Sequence, residues 1–221
     1  MPIFVFCNFK LIVEMIIKAK HHRVIFPLFQ HLGRTLIRQS FNSVNIYGDF
    51  IDNRKAILVI ANHMSWWDGF WIEYLNHKVF HRKFHFMMLE EQLIKHWYFQ
   101  YTGGFSVKKK SRTMTESINY TIELLQNPEN MVLMFPQGKI HSMHVDYTNF
   151  EKGIEKIIEN IAPDLQVILV VNMIDYFSNK KPNLYIYFKS YMAKDLQKFD
   201  IENKYNDFYK ETLNQHKTKT S

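Results

Sequence analysis

Apolar residues along the chain form short runs and helical stripes that follow one another in alternation. Continuous or alternating apolar runs predict buried strands, here at residues 57–61, 83–89, 131–135, 167–171 and 184–191. Apolar residues three or four positions apart predict amphipathic helices, here at residues 24–38, 113–126, 150–161 and 201–213. This alternation predicts an α/β fold, in which helices flank a central sheet that is largely parallel or mixed.

We interpret the first 44 residues as an N-terminal apolar and amphipathic helical segment, followed by a domain of residues 45–221. The stretch 3–17 is apolar but too short and too interrupted to predict a membrane-spanning helix. The helix predicted at 24–38 has an apolar face of Ile25, Leu28, Phe29, Leu32 and Leu36, and together with Lys18, Lys20 and Arg23 it makes a basic amphipathic helix. Such a helix suits a lipid interface. The alternative is that it packs on its own domain, and both can hold for different faces.

The composition narrows the choice of partner. The 221 residues carry a formal charge of +7, and 16% of them are aromatic. A basic, aromatic-rich chain suggests an anionic partner, either nucleic acid or an anionic membrane surface. The sequence has no aromatic RNA-binding signature and no zinc-finger spacing, so we favour the membrane surface and expect no nucleic acid. The single cysteine, Cys7, excludes a disulfide framework within one chain and fits a reducing compartment.

A histidine and a carboxylate follow the most apolar of the predicted strands. Residues 57–61 lead directly into Asn62 and His63, and Asp68 comes five residues after His63. An imidazole can take up a proton near neutral pH, and a carboxylate bonded to its other nitrogen fixes the tautomer and stabilises the cation. Ser65 and Asp68 suit the start of a helix. The sequence therefore predicts a strand, a tight turn and a helix that present a His–Asp pair, although such a pair also occurs by chance.

Aromatic residues surround Asp68 in the sequence, namely Trp66, Trp67, Phe70 and Trp71. Core packing is one interpretation of this cluster. The other is that some of the rings line a slot for an acyl chain or contact lipid, because amphipathic rings suit a boundary between water and an apolar phase.

Three segments in order resemble sequence blocks of the glycerolipid acyltransferases, which include the 1-acylglycerol-3-phosphate and glycerol-3-phosphate acyltransferases. The first is Asn62-His63-Met64-Ser65-Trp66-Trp67-Asp68. The second is Gly103-Gly104-Phe105-Ser106-Val107-Lys108-Lys109, in which Lys109 takes the place of the usual Arg. The third is Phe135-Pro136-Gln137-Gly138, in which Gln137 replaces the usual Glu and Ile140 stands where Arg is usual. The resemblance extends over about residues 45–190.

The resemblance implies that His63 and Asp68 are catalytic. It further implies that the substrate is contacted by Asn62, Ser65, Gly104, Lys108, Lys109, Phe135, Pro136, Gln137 and Gly138. The implied reaction moves an acyl group from acyl-CoA or acyl-carrier protein to a hydroxyl of a membrane lipid such as 1-acylglycerol-3-phosphate, without a cofactor. His141 and His144 lack an evident third ligand, so no metal is expected. The expected location is the cytoplasmic face of a bacterial membrane, as a peripheral or monotopic protein.

Two alternatives remain open. The substitutions at Lys109, Gln137 and Ile140 leave room for a lipid acceptor without a phosphate, such as an amino-acid lipid or a glycolipid. A catalytically silent lipid-binding relative is the other alternative, and the intact His63–Asp68 pair argues against it. In every case we expect the site at the carboxyl ends of the strands 57–61 and 131–135.

Overall fold

A computed structural model describes residues 16–108, 113–196 and 200–220 of the protein. Cys7, Lys109 and all but the last two residues of the stretch 3–17 lie outside these ranges. The strands within the described ranges are β1 Ser43–Tyr47, β2 Ile57–Ala61, β3 Lys83–Leu89, β4 Gly104–Val107, β5 Asn130–Met134, β6 Gln166–Asp175 and β7 Asn183–Met192. The α-helices are α1 Ile25–Ser40, α2 Asp68–Leu75, α3 Glu90–Lys95, α4 Thr113–Leu124, α5 Ile154–Asn160, α6 Ala193–Leu196 and α7 Ile201–Lys217. A π-helical turn, Asn76–Phe80, and a 3-10 helix, Trp97–Tyr101, complete the described elements.

The seven strands form one sheet in the order β1-β7-β6-β2-β5-β3-β4. Neighbouring strands are parallel except β6 and β7, which pair in antiparallel fashion over their full length. The prediction of an α/β fold with a largely parallel sheet is confirmed, and the antiparallel β6–β7 pair makes that sheet mixed. Because β6, β2, β5, β3 and β4 run in the same direction, their carboxyl ends meet at one edge of the sheet, where the site was expected.

Both faces of the sheet are covered, which explains the uninterrupted apolar run of β2. All five of its residues are fully buried. Leu58 and Ile60 face a core shared with α4, α5 and α7, whereas Ile57, Val59 and Ala61 face a core shared with α1 and α2. Strands covered on both faces read as continuous hydrophobic runs. Each fully buried side chain of this size contributes about 1.5–3 kcal/mol to stability, so the strand that carries His63 is firmly held.

The segment before α1 is extended. The N–H of Lys20 donates to the carbonyl of Gln100 at 2.8 Å, and the N–H of Ile17 donates to Ser106 Oγ at 2.8 Å. Lys18 and Lys20 therefore lie beside the 3-10 helix and β4, Arg23 lies in the turn before α1, and the prediction that these three residues belong to the basic helix is wrong. Their segment forms backbone hydrogen bonds with the 3-10 helix and β4. The periodicity of apolar residues in the sequence does not reveal this pairing.

Helix α1 uses two faces. It packs on the domain through its buried residues Gly33 and Ile37, and a Cβ at Gly33 would come within 3.0 Å of Phe70, so glycine permits this close contact. Leu28 and Leu32, from the predicted apolar face, remain 64% and 48% exposed. No helix in the described ranges is long and apolar enough to cross a membrane. Membrane binding by α1 and the division of the chain at residue 44 stay predictions.

Candidate active site

The carboxyl ends of β2 and β5 bring the first and third sequence blocks together. His63 follows β2, and the turn of Phe135 to Gly138 follows β5. The ring of His63 stacks on the ring of Phe135, with 4.2 Å between their centroids and 13° between their planes. The predicted strand, turn and helix around His63 are confirmed, since α2 begins at Asp68.

A single carboxylate oxygen of Asp68 accepts three hydrogen bonds. Its Oδ2 lies 2.8 Å from Nδ1 of His63, 2.7 Å from the backbone N of Met64 and 2.9 Å from that of Ser65. Asp68 is fully buried and is the first residue of α2, where the helix dipole favours a negative charge. Burial raises the pKa of Asp68, and the hydrogen bonds from His63 and the two backbone amides partly oppose this. The turn thus orients the imidazole through Nδ1 and leaves Nε2 for chemistry.

The backbone of His63 is held on both sides by the segment after β5. Its N–H donates to Oε1 of Gln137 at 2.5 Å, and its carbonyl accepts from the N–H of His141 at 2.8 Å. Gln137 is only 4% exposed, and Gly138 takes a positive φ of 62° in the turn. In this arrangement the amide of Gln137 positions the loop that carries His63.

Three further predicted substrate contacts have structural partners. Asn62 is buried and exchanges two hydrogen bonds with the backbone of Asn172, at 3.0 and 2.8 Å, which ties β2 to β6. Gly104 lies so close to the carbonyl of Phe99 that a Cβ would come within 2.8 Å of it. Lys108 is exposed just after β4, and its Nζ lies 4.0 Å from Oε1 of Glu90. Lys109 lies outside the described residues, and the substrate roles of all four stay predictions.

A cavity of about 740 Å³ lies beside His63. Its walls are mostly apolar and include Phe26, Phe29, Trp66, Phe70, Phe84, Phe86, Phe99, Met87, Met114, Met134 and Ile118. Phe135, Pro136 and Gly138 line it together with His63, whereas Ser65, Gln137 and Asn62 do not. Such a cleft can enclose most of a lipid-sized ligand. Trp71 is fully buried in the core, so core packing is confirmed for that ring, whereas Trp66 and Phe70 line the cavity and their contact with an acyl chain or lipid stays a prediction.

Sequence reasoning missed several polar residues of this cavity. Lys139 and Lys152 are exposed at its rim. Gln30 and Glu73 lie in its wall, where Nε2 of Gln30 donates to Oε1 of Glu73 at 2.7 Å. Lys139 follows the third block directly, which was an available signal. Glu73 gave none, because its role depends on the packing of α1 against α2. No three or more His, Cys, Asp or Glu side chains of the described residues are grouped to hold a metal ion.

Comparison of the sequence with known proteins identifies the family of this chain. A family model described as Acyltransferase matches residues 43–173, more than half of the chain. The 1-acyl-sn-glycerol-3-phosphate acyltransferase of Streptococcus pneumoniae (strain ATCC BAA-255 / R6) is 26% identical over 101 residues, which are 44% of this chain and 37% of that protein. The aligned part therefore spans little more than a third of that relative. The resemblance read from the three sequence blocks is confirmed, and the protein belongs to the acyltransferase family.

Proposed function

We propose that the protein is a membrane-associated O-acyltransferase. It moves a fatty acyl group from a thioester, acyl-CoA or acyl-carrier protein, to a hydroxyl of a lysophospholipid such as 1-acylglycerol-3-phosphate. The observation that carries the proposal is that His63, hydrogen-bonded to Asp68, lies on the wall of a mostly apolar cavity. The side chain of His63 is 23% exposed, whereas that of Asp68 is fully buried, as expected for a base that meets substrate and a carboxylate that only orients it.

The proposed reaction needs one proton shuttle. Nε2 of His63 removes the proton of the acceptor hydroxyl as its oxygen attacks the thioester carbonyl. The tetrahedral intermediate then collapses, the C–S bond breaks, and the departing sulfur takes up the proton held by His63. A positioned general base contributes about 10²–10⁴ in rate, and orientation of the two substrates contributes more. No residue forms a covalent acyl intermediate in this scheme.

The cavity and its rim fit the two substrates. Its apolar walls, with Phe29, Phe70 and Met114 among them, suit a fatty acyl chain. Lys139 and Lys152 at the rim offer positive charge to a phosphate, either on the acceptor or on the CoA part of the donor. These lysines support the phosphate-bearing acceptor despite Ile140 at the position where Arg is usual in the family.

Exposed apolar side chains support binding to a membrane surface. Val24, just before α1, and Leu28, on α1, are 67% and 64% exposed, and on α3 and the 3-10 helix Ile94 and Trp97 are 61% and 62% exposed. Exposed apolar and aromatic side chains on a basic protein favour a lipid interface. Because acyl-CoA and acyl-carrier protein are cytoplasmic donors, the proposal places the protein on the cytoplasmic face as a peripheral or monotopic enzyme.

A lipid acceptor without a phosphate is the second candidate. Ile140 is 50% exposed and offers no charge, and the Glu73 carboxyl in the cavity wall disfavours a second anion nearby. An amino-acid lipid or a glycolipid would fit such a site. A catalytically silent lipid-binding protein is the third candidate, with no physical need for a buried carboxylate directed at His63.

The experiment that separates these candidates measures thiol release from palmitoyl-CoA and palmitoyl-acyl-carrier protein. Release that depends on lysophosphatidic acid supports the phosphate acceptor. Release only with an amino-acid lipid or glycolipid acceptor supports the second candidate. No release with either donor and any of these acceptors contradicts acyl transfer and favours the lipid-binding protein. The same assay is run with His63→Ala, and His144→Ala, at an exposed histidine, is its matched control.

A further inference from the structure

A carboxylate is buried in the wall of the mostly apolar cavity. Glu73, on α2, is only 9% exposed and lies among Phe26, Phe29 and Phe70 in the cavity lining. Nε2 of Gln30, on α1, donates to its Oε1 at 2.7 Å. Both members of this pair line the cavity, so both are within reach of a molecule that fills it.

The protein does not use all of the hydrogen-bond acceptor capacity of the Glu73 carboxyl. Among the described residues no cation forms an ion pair with Glu73, although Arg34 is near enough to lower the pKa of its carboxyl. Burial has the larger effect and raises that pKa. An ionised carboxylate can accept about four hydrogen bonds, and the amide of Gln30 supplies one. The carboxyl therefore keeps acceptor capacity toward the cavity.

Packing of α1 on α2 does not explain the pair. Gly33 already allows α1 to approach Phe70 closely, and Phe29 stacks on Phe70 with 5.3 Å between centroids. Apolar residues at positions 30 and 73 would extend this contact without the cost of burying a carboxylate. A polar pair at this place can instead form hydrogen bonds with a polar group of a ligand in the cavity.

We propose that Gln30 and Glu73 bind a hydroxyl group carried on an otherwise apolar lipid chain. A hydroxyl both donates and accepts, and the pair offers an acceptor in Glu73 and both a donor and an acceptor in the amide of Gln30. Glu73 lies five residues beyond Asp68 on α2, which is about 7.5 Å along the helix axis. The recognised hydroxyl is thus several carbons from the reacting carbonyl. That the chain is a fatty acyl chain rests on the proposed acyl transfer.

A binding experiment tests this inference without catalysis. Calorimetry compares stearate, 3-hydroxystearate and 10-hydroxystearate with the wild-type protein, Glu73→Leu and Glu73→Gln. The wild type is expected to bind 10-hydroxystearate, whose hydroxyl lies several carbons from the carboxyl, at least about tenfold more tightly than stearate and 3-hydroxystearate. Glu73→Leu abolishes this preference, and Glu73→Gln, which keeps a hydrogen-bond acceptor, retains part of it. Gln30→Leu, on the other helix, checks the result if Glu73→Leu does not fold.

Equal affinity for all three acids, tighter binding of 3-hydroxystearate than of 10-hydroxystearate, or an unchanged preference in both folded Leu variants would overturn the inference. Kinetic arms then identify which chain carries the hydroxyl. In one arm the acyl-CoA is hydroxylated and the lysolipid is plain; in the other the lysolipid chain is hydroxylated and the acyl-CoA is plain. A higher kcat/KM in the first arm assigns the donor chain, and in the second the acceptor chain. A binding preference without transfer in either arm contradicts the proposed acyl transfer but supports the hydroxyl site.

Discussion

At the scale of single residues, the candidate site depends on backbone amides as much as on side chains. The N–H groups of Met64 and Ser65 hold Asp68 Oδ2 at 2.7 and 2.9 Å, so the carboxylate is positioned by the turn as well as by His63. The N–H of His63 is in turn held by Gln137. Because these groups are buried or half-buried, a change at one of them has a defined cost in stability or activity.

The first residue-scale prediction concerns Asp68→Asn. The amide oxygen of the new side chain can take the place of Oδ2 and keep its three hydrogen bonds, but the negative charge that stabilises protonated His63 is lost. We expect kcat for acyl transfer to fall at least about tenfold, since a hydrogen bond to a charged acceptor is roughly twice as strong as a neutral one. The midpoint of thermal unfolding should stay close to the wild-type value, because burial disfavours the charge that the variant removes. Near-normal kcat in this variant would show that the charge at position 68 does not assist His63.

The second residue-scale prediction concerns Gln137. Gln137→Leu leaves the N–H of His63 without its partner, which should cost about 1–3 kcal/mol in the free energy of unfolding and lower kcat because the base is less well placed. Gln137→Glu keeps an acceptor and should retain most of the activity. Denaturant unfolding and steady-state kinetics measure both effects. A rise in KM alone in Gln137→Leu would instead identify Gln137 as a substrate contact.

At the scale of elements, α1 has one face on the domain and another in solvent. The outer face carries Leu28 and Leu32, which are 64% and 48% exposed. If it lies in a lipid interface, Leu28→Asp should weaken binding to anionic phospholipid vesicles at least about tenfold, since a charge replaces buried apolar area. Ile51→Asp is the matched control, because Ile51 is 85% exposed and lies beside the amino end of β6. Equal vesicle binding by both variants would contradict a membrane role for α1.

A contact between the half-buried His21 and the buried His85 joins the segment before α1 to β3. The rings of His21 and His85 have centroids 4.7 Å apart, and Nε2 of His21 lies 2.8 Å from the carbonyl oxygen of Phe84. Burial lowers the pKa of His85 from 6.5 to about 4, and the neighbouring His21 adds to this. Burial also lowers the pKa of His21. Both rings are therefore neutral in the folded protein at neutral pH.

This pair predicts a loss of stability in mild acid. Because the folded state binds these protons less tightly than the unfolded state, their contribution is fully present above about pH 6.5 and is lost as the pH falls toward 4. At about 1.4 kcal/mol per pKa unit, His85 alone accounts for about 3 kcal/mol. His85→Gln should flatten the dependence of the unfolding free energy on pH in this window, whereas His144→Gln, at an exposed site, should not. An equally steep dependence in His85→Gln would rule out the pair as its source.

At the scale of the whole molecule, much of the fold could be predicted because both faces of the sheet are buried. The apolar run 57–61 coincides with β2, which is covered on both faces and apolar throughout, and the largely apolar run 83–89 coincides with β3. The antiparallel pairing of β6 with β7 left no comparable signal, because apolar periodicity does not encode the direction of a neighbouring strand. For the same reason, the pairing of residues 17–22 with the 3-10 helix and β4 was not predicted.

The candidate site was only partly predictable. His63 and Asp68 are five residues apart, so local sequence was enough to suggest their contact. Gln137, which accepts a hydrogen bond from the backbone N–H of His63, is 74 residues away in the sequence. Gln30 and Glu73 are 43 residues apart in the sequence. Such contacts depend on how the elements pack, and single residue types do not reveal them. The sequence blocks therefore indicated the base and its carboxylate, while the residues that position the base and shape the cavity needed the structure.

The most direct test of the proposed role of His63 compares wild type with His63→Ala in acceptor-dependent thiol release from palmitoyl-CoA. We expect kcat to fall by about 10²–10⁴ in the variant, with a cooperative unfolding transition retained and full activity in His144→Ala. Activity in His63→Ala within about threefold of wild type would contradict general-base catalysis by this residue, because the loss of a positioned base exceeds that factor.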